Sequence, residues 1–292
     1  MPIYFDEIID RRNTSSIKYD FAAVRGYPEG ILPFWVADMD FRVPAPIMEA
    51  LKVRTAHGIF GYTQPMDDYF AAIQSWFATR HNWNVTASDL IITPGVVFAL
   101  ATAIRTFTQP GDAVLIQQPV YYPFANIIRE NARRLVNSQL RLLRGRYMID
   151  FNDFEQKIIE NKVKLFILCS PHNPVGRVWT HAELAQLADI CLRHNVLVIA
   201  DEIHEEFIRP GFRHTNPSSA WTRRRSGAAS TSPVPHRARH STLRVCKSPT
   251  SSSKMNICAT ASKKSCMPPA MMNRIHSVLQ PLRPHIRMAH HG

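Results

Sequence analysis

The strongest constraint on the fold is a strand, helix, strand pattern that spans residues 163 to 200. Two apolar runs of strand length, 163–169 and 196–200, flank a segment with apolar residues at helical spacing. Thr180, with Glu183 three residues later, forms a capping-box pattern that predicts the start of this helix. Two strands that are joined through a helix lie parallel in one sheet. The pattern therefore predicts an α/β fold with a mostly parallel sheet flanked by helices.

The same alternation begins earlier in the chain. A strand-like run at 90–93 leads into Pro94-Gly95 and a helical stretch at 96–107, and another run at 113–117 follows a turn at 109–112. Up to about residue 212 the sequence is typical of an ordered α/β protein.

Charge divides the chain into two compositions. The net charge is +12, yet residues 1–212 hold all 23 acidic residues and 21 of the 35 basic ones, whereas residues 213–292 hold 14 basic residues and no acidic residue. In the second part, which is rich in Ser, Pro, Arg and His, neither helical nor strand periodicity persists. We therefore expect 213–292 to be a disordered basic tail.

Other features exclude several classes of protein. No apolar run reaches the roughly 18 residues of a membrane span, and the first residues lack the apolar core of a signal peptide. Five scattered cysteines fit reduced thiols, so we expect a cytoplasmic protein. The basic tail leaves a nucleic-acid-binding protein as a weaker alternative, because Trp221 is the one aromatic residue after Phe212. Spacings among the tail histidines and cysteines do not match paired zinc ligands, so no metal site is predicted.

Polar residues directly after the strand-like runs are the first candidates for a site, because ligands of open α/β sheets bind outside the carboxyl ends of the strands. Gly95 and the backbone NH groups of Val96 and Val97 open a helix and suit a phosphate, although a simple turn would look the same. Asn173 and Asp201 follow the next two such runs, and Asp201 could equally be a helix cap.

Four ordered motifs together resemble a known family. They lie at 34–41 (FWVADMDF), 57–63 (HGIFGYT), 170–176 (SPHNPVG) and 201–204 (DEIH). The chain up to about residue 212 resembles the fold type I pyridoxal-phosphate (PLP) enzymes of aminotransferase class I/II. The motifs are most similar to the cystathionine β-lyase branch, the MalY/PatB type, since ordinary aminotransferases usually carry Tyr where His204 stands.

The resemblance implies PLP as cofactor and a role for each matching residue. Asp201 would keep the pyridine nitrogen protonated. Asn173 would donate to the phenolic oxygen with His204 nearby, although His204 could also be a structural residue at a helix start. Tyr121 would stack on the ring, with Tyr122 as the alternative.

The resemblance also implies where the phosphate would be held and that two subunits would meet. Gly95 with the NH groups of Val96 and Val97 would cradle the phosphate, and Tyr62 would reach the phosphate of a neighbouring subunit. A homodimer is therefore expected if the chain folds, with a small sulfur amino acid as substrate and neither nucleic acid nor membrane as partner.

The lysine that such an enzyme needs for its Schiff base is absent from the expected place. The family has it about 35 residues after the ring-nitrogen aspartate, where this chain has His236. Lys247 and Lys254 lack the surrounding motif. Codons that encode 236–247 can spell Pro-Ser-Lys-Thr-Leu-Asn-Ile-Ala-Gly-Leu-Gln in the neighbouring frame, so we hypothesise a frameshift between about residues 214 and 236.

These observations predict an incomplete fold type I PLP-transferase. Residues 1–45 would begin the small domain, 46–212 would form an incomplete large PLP-binding domain, and 213–292 would be a non-native tail. The expected function is that of a carbon–sulfur β-lyase by descent, inactive in this form, with an aminotransferase as the alternative.

Overall fold

The computed structural model describes residues 5–35, 37–215 and 217, together with the backbone of 242–247 and 255–260. The chain divides into two compact units, residues 1–64 and 65–292.

The first unit contains a short 3-10 helix, Ala23–Arg25, and helix α1, Ala45–His57. No residue of α1 is buried. An ion-pair cluster joins the start of the unit to the 38–40 segment: the buried Lys18 ammonium lies 2.9 Å from Asp40, and Arg11 bonds to Asp40 at 2.6 Å.

The second unit contains helices α2–α6 and strands β1–β9. The helices are α2 Asp67–His81, α3 Val96–Phe107, α4 Pro123–Glu130, α5 Phe151–Asn161 and α6 His181–Arg193. The strands are β1 Leu90–Thr93, β2 Ala113–Ile116, β3 Arg134–Asn137, β4 Arg141–Leu143, β5 Arg146–Met148, β6 Leu165–Cys169, β7 Leu197–Asp201, β8 Thr242–Lys247 and β9 Met255–Thr260.

Seven of these strands form one sheet, in the order β1-β9-β8-β7-β6-β2-β3, and β4 pairs with β5 in a separate hairpin. The β3-β2-β6-β7-β8 part is parallel throughout, whereas β9 runs antiparallel to both of its neighbours. The α/β fold with a mostly parallel sheet, predicted from the strand, helix, strand pattern, is confirmed.

Alternate residues of the central strands pack into two separate cores. In β6, Leu165 and Ile167 join the cluster formed with α3 and α4, whereas Phe166 and Leu168 join the cluster formed with α5 and α6. Successive side chains of a strand point to opposite faces, so a helical layer on each face explains why β6 is apolar at every position.

Strands β8 and β9 are the main difference from the sequence prediction. Residues 242–247 and 255–260 lie within the segment for which the composition predicts disorder, yet their backbone completes the sheet between β7 and β1. Without them β7 and β1 would be open edges, which readily accept additional strands. The rest of the predicted disordered tail lies outside the described residues, apart from its first few positions.

Within the described ranges, no helix is long and apolar enough to cross a membrane.

Candidate active site

The polar segments that follow β6 and β7 begin side by side at the carboxyl edge of the sheet. Cys169 and Asp201, the last residues of the two strands, are paired in register. The backbone amide of Ser170 then donates to the Asp201 carbonyl at 2.9 Å. The ladder therefore brings the 170–178 loop, which contains Asn173, next to the segment that starts at Asp201.

Asp201 is a buried carboxyl group, with 2% of its surface exposed. Its Oδ1 accepts a hydrogen bond from the Ile203 amide at 3.1 Å. Burial raises the pKa of Asp201 to about 7, the Ile203 bond lowers it and the charge of Glu202 raises it further. No Lys, Arg or His of the described residues forms a salt bridge with it. The site thus presents a desolvated acid that a cationic group would stabilise.

The loop that carries Asn173 is fixed by Arg177, which is 6% exposed. The Arg177 guanidinium bonds to Glu183 at 2.6 Å and to the Tyr147 carbonyl, and lies 4.5 Å from the Trp179 ring centroid. On the other side, the backbone NH of Asn173 donates to Cys169 Sγ at 3.4 Å. Asn173 is half-buried, and contacts of Arg177 and of Cys169 hold its loop in place.

His172 belongs to this site although sequence reasoning does not single it out. Its side chain is buried, and Nε2 lies 2.9 Å from the Pro119 carbonyl oxygen, two residues before Tyr121. Burial lowers the His172 pKa to about 4, more than its hydrogen bonds raise it, so the imidazole is neutral at pH 7. The available signal in the sequence is its position between two prolines in the 170–176 motif.

Tyr121 follows β2 and is half-buried. Its ring makes an edge contact with Phe124 at 5.8 Å, and it packs against the core of β2 and α3. Burial raises the Tyr121 pKa, with smaller contributions from Tyr122 and from the Asp201 charge. The Asp201 charge thus acts on Tyr121, whereas Tyr122 is 70% exposed.

Gly95 is the N-cap of α3, and Val96 and Val97 form its first turn. The strand before it, β1, runs in the same direction as β7, because two antiparallel pairings separate β1 from β8 and β8 is parallel to β7. The Gly95 turn therefore lies at the carboxyl edge, as predicted, but on a strand that β9, β8 and β7 separate from β6. Lys247 is the last residue of β8 and lies at the same edge, since Val245 pairs with Asp201.

A cleft of about 660 Å³ opens beside the 170–178 loop. Its walls include Asn173 and the half-buried His204, whose pKa is lowered by burial. Asp201, Tyr121 and the Gly95 turn are not among its lining residues. The structure thus brings two of the predicted residues, Asn173 and His204, into one cleft.

Two predicted positions cannot be joined to this site. Tyr62 lies in the first unit and is 91% exposed. His236 lies outside the described residues.

A second cluster of ionisable groups follows Asp201. Glu202 and Glu205 are buried, and their carboxylate oxygens and a His214 ring nitrogen all lie within 4.8 Å of one another. His214 Nε2 is 2.7 Å from Glu202 Oε2. This hydrogen bond ties residue 214 back to the end of β7.

Comparison with known proteins identifies the family. Residues 31–235 match the model described as aminotransferase class I and II. The chain belongs to this family. The resemblance inferred from the four motifs is thereby confirmed.

Curated relatives point to one branch of the family. The chain is 45% identical over 211 residues to cystathionine beta-lyase PatB of Bacillus subtilis, covering 72% of this chain and 54% of the relative. It is 36% identical to protein MalY of Escherichia coli, covering 70% and 53%. The chain spans about half the length of the curated relatives it matches.

A solved structure supports the fold. Cystalysin from Treponema denticola, which contains pyridoxal 5'-phosphate, matches with a TM-score of 0.81 and 31% identity, covering 97% of this chain and 68% of that one. The predicted fold type I PLP-transferase architecture is confirmed by this similarity.

Proposed function

We propose that this chain derives from a PLP-dependent carbon–sulfur β-lyase and retains part of the cofactor-binding site, but lacks the lysine that turnover requires. The observation that carries the proposal is the burial of Asp201 without a cationic partner among the described residues. Its carboxyl group is 2% exposed and pairs with no cationic side chain of the described residues, which suits a protonated pyridine nitrogen.

The surrounding residues fit the same cofactor. Asn173 would donate to the phenolic oxygen, with His204 nearby in the same cleft, and the half-buried Tyr121 would lie against the ring. The NH groups at the start of α3, beside Gly95, would receive the phosphate. When bound, PLP supplies an electron sink for reactions at the α-carbon of an amino acid.

We assign a sulfur amino acid as substrate, because the relatives in this branch are named cystathionine beta-lyases. An aminotransferase is the alternative, since an aspartate aminotransferase from Sulfolobus acidocaldarius is 30% identical over 184 residues. Products distinguish the two: a β-lyase releases pyruvate and ammonia, whereas an aminotransferase releases an oxo acid.

The remaining assignments are also proposals. We assign a homodimer in which Tyr62 serves the neighbouring subunit, a cytoplasmic location, and no nucleic-acid partner. The 1–45, 46–212 and 213–292 domain division belongs with them.

The lost lysine is attributed to a frameshift between about residues 214 and 236. Its support is the abrupt end of acidic residues at Glu206, together with a neighbouring frame at 236–247 that can spell the lysine motif. Without that lysine, we expect carbon–sulfur lyase activity at background level, because the Schiff base and the positioned proton carrier are both lost.

The test is to titrate the purified full chain with PLP, reduce it with borohydride and map any labelled lysine by mass spectrometry. We expect weak binding that Asp201→Ala weakens further, and no specifically labelled lysine. Lys247 is the last residue of β8, at the carboxyl ends of the strands and next to β7. Labelling concentrated at Lys247 would show that this lysine forms the Schiff base, and would contradict the proposed loss of activity. PLP binding that is unaffected by Asp201→Ala would contradict the site itself.

A further inference from the structure

The cleft beside Asn173 carries positive charge that the proposed cofactor contacts do not use. Three arginines line it: Arg146, Arg177 and Arg209. Arg177 is neutralised by Glu183 at 2.6 Å. Arg146 and Arg209 are exposed and form no salt bridge with any described residue. Among the residues that the structure describes, no acidic one lines the cleft.

The backbone next to Arg146 is held by the buried Arg177. Arg146 begins β5, in the hairpin where it pairs with Leu143. Arg177 bonds to the Tyr147 carbonyl, the next residue along this strand. The hairpin is thus fastened to the 170–178 loop, and Arg146 is positioned relative to Asn173 through this contact.

Arg209 lies in the chain after β7, on the other side of the 201–204 motif. A turn closes at this position, because the Phe212 amide donates to the Arg209 carbonyl at 3.1 Å and Gly211 adopts a positive φ of 87°. Phe207 and Phe212, each 62% exposed, flank Arg209 in the sequence and also line the cleft. Cationic and apolar groups therefore occupy one wall.

This combination fits a small organic anion with an apolar part. Guanidinium groups bind carboxylates through paired, charge-assisted hydrogen bonds. A cleft of about 660 Å³ lies within the range of small-molecule sites. The thioether chain of a sulfur amino acid would suit the two phenylalanine rings.

We propose that Arg146 and Arg209 bind a carboxylate of the sulfur amino acid substrate and position it next to Asn173 and His204. This assignment rests on the proposed function, which it extends from the cofactor to the substrate. Both residues contact the substrate directly, and neither transfers a proton.

The test is calorimetric titration of the full chain, supplied with PLP, with L-cystathionine. Arg146→Gln and Arg209→Gln should each weaken binding at least about ten-fold, as expected for loss of a charge-assisted hydrogen-bond pair. Arg144→Gln is the matched control, because Arg144 is an exposed arginine in the same hairpin that does not line the cleft. It should change the affinity less than about two-fold.

Two further probes identify the chemistry that is recognised. Cystamine, which has a sulfur chain but no carboxylate, should not bind, and inorganic phosphate should compete only weakly with L-cystathionine. Phosphate that binds as tightly as L-cystathionine, and that loses affinity in both Gln variants, would make this a phosphate site and overturn the assignment. Absence of L-cystathionine binding, or equal binding by the wild type and both variants, would also overturn it.

PLP absorbance in the same samples separates this inference from the proposed function. If PLP is retained while the arginine variants bind L-cystathionine normally, only the carboxylate assignment fails. If PLP is not retained while arginine-dependent binding persists, the proposed function fails and the cleft assignment stands.

Discussion

Asp201 is a buried carboxyl group whose negative charge is unfavourable in its surroundings. A carboxyl group with a pKa of about 7 is partly charged at neutral pH, in surroundings that exclude water. Since the unfolded chain releases this proton near pH 4, the folded chain binds more protons between about pH 4 and pH 7. The free energy of unfolding should therefore fall as the pH rises through that window.

Asp201→Asn should remove this loss of stability at higher pH. The asparagine side chain carries no charge, and its Oδ1 can still accept the hydrogen bond from the backbone NH of Ile203. We expect the variant to gain stability relative to the wild type on going from pH 5 to pH 8, by an amount on the order of 2 kcal/mol. Urea unfolding at the two pH values measures it. Asp67→Asn, at an exposed position in α2, should show no such gain, and parallel pH profiles for Asp201→Asn and wild type would contradict the prediction.

Single residues differ in how far the sequence predicts them. Asp201 and Asn173 can be found because each follows a strand-like run, and register alone brings those strand ends together. Arg146 and Arg209 cannot be found in this way. Their roles depend on a hairpin and a turn that approach one cleft from distant parts of the chain, and no local pattern encodes that approach.

At the scale of elements, helix α6 shows a local signal that agrees with the tertiary structure. The Thr180 side chain accepts from the Glu183 amide at 3.2 Å, and Glu183 Oε2 accepts from the Thr180 amide at 2.8 Å. Glu183 also neutralises the buried Arg177. The capping box thus starts the helix and supports the loop of the site.

Thr180→Ala should lower the free energy of unfolding by about 1 kcal/mol, the usual cost of losing an N-cap side chain. Thr79→Ala is the control, because Thr79 is exposed inside α2 and should change stability by less than about 0.5 kcal/mol. Glu183→Ala should cost more than Thr180→Ala, since it leaves the Arg177 charge buried without its partner. Chemical denaturation of the three variants would refute the prediction if Thr180→Ala and Thr79→Ala were equally stable.

Strands β8 and β9 show the opposite case, in which local sequence signals are weak. Each lies in a stretch dominated by Ser, Pro and Arg, so the overall composition conceals it. Their pairing depends on β7 and β1, which are far away in the sequence. Such non-local pairing cannot be inferred from periodicity alone.

Val245→Pro tests whether β8 pairs as described. Val245 lies opposite Asp201 between two neighbouring strands, where proline removes a ladder donor. We expect faster hydrogen exchange at the β7 amides, 197–201, than in the wild type, while the amides of β2 stay protected. Unchanged exchange throughout β7 would show that β8 does not pair there.

At the scale of the whole molecule, the two compositions of the chain and its family membership have to be explained together. The family match extends over residues 31–235, whereas acidic residues end at Glu206 and the lysine motif is missing where His236 stands. The proposed change of reading frame accounts for the missing lysine motif and for the lack of acidic residues in the last part of the chain. Such a change would leave the upstream residues of the proposed site intact and would replace the downstream residues with an unselected sequence.

Restoring the frame should restore the enzyme. Shifting back by one base upstream of codon 236 should place a lysine between Pro-Ser and Thr-Leu-Asn, about 35 residues beyond Asp201. We expect the repaired product to be dimeric, to bind PLP in a form that borohydride fixes to that lysine, and to release pyruvate from L-cystathionine. Asp201→Ala in the repaired protein should abolish turnover, because an unprotonated ring nitrogen weakens the electron sink.

The nucleotide sequence of the gene is the most direct test of the frameshift hypothesis. If the codons for 236–247 do not encode Ser-Lys in the neighbouring frame, the frameshift hypothesis is wrong, and the basic segment is then a genuine carboxy-terminal region of a divergent family member. In that case β8 and β9 would be selected parts of the sheet, and Lys247, at its carboxyl edge, would be the first residue to test by borohydride labelling. Sequencing codons 210 to 250 of the gene therefore distinguishes a lyase sequence that is altered by a frameshift from a family member whose own carboxy-terminal region supplies β8 and β9.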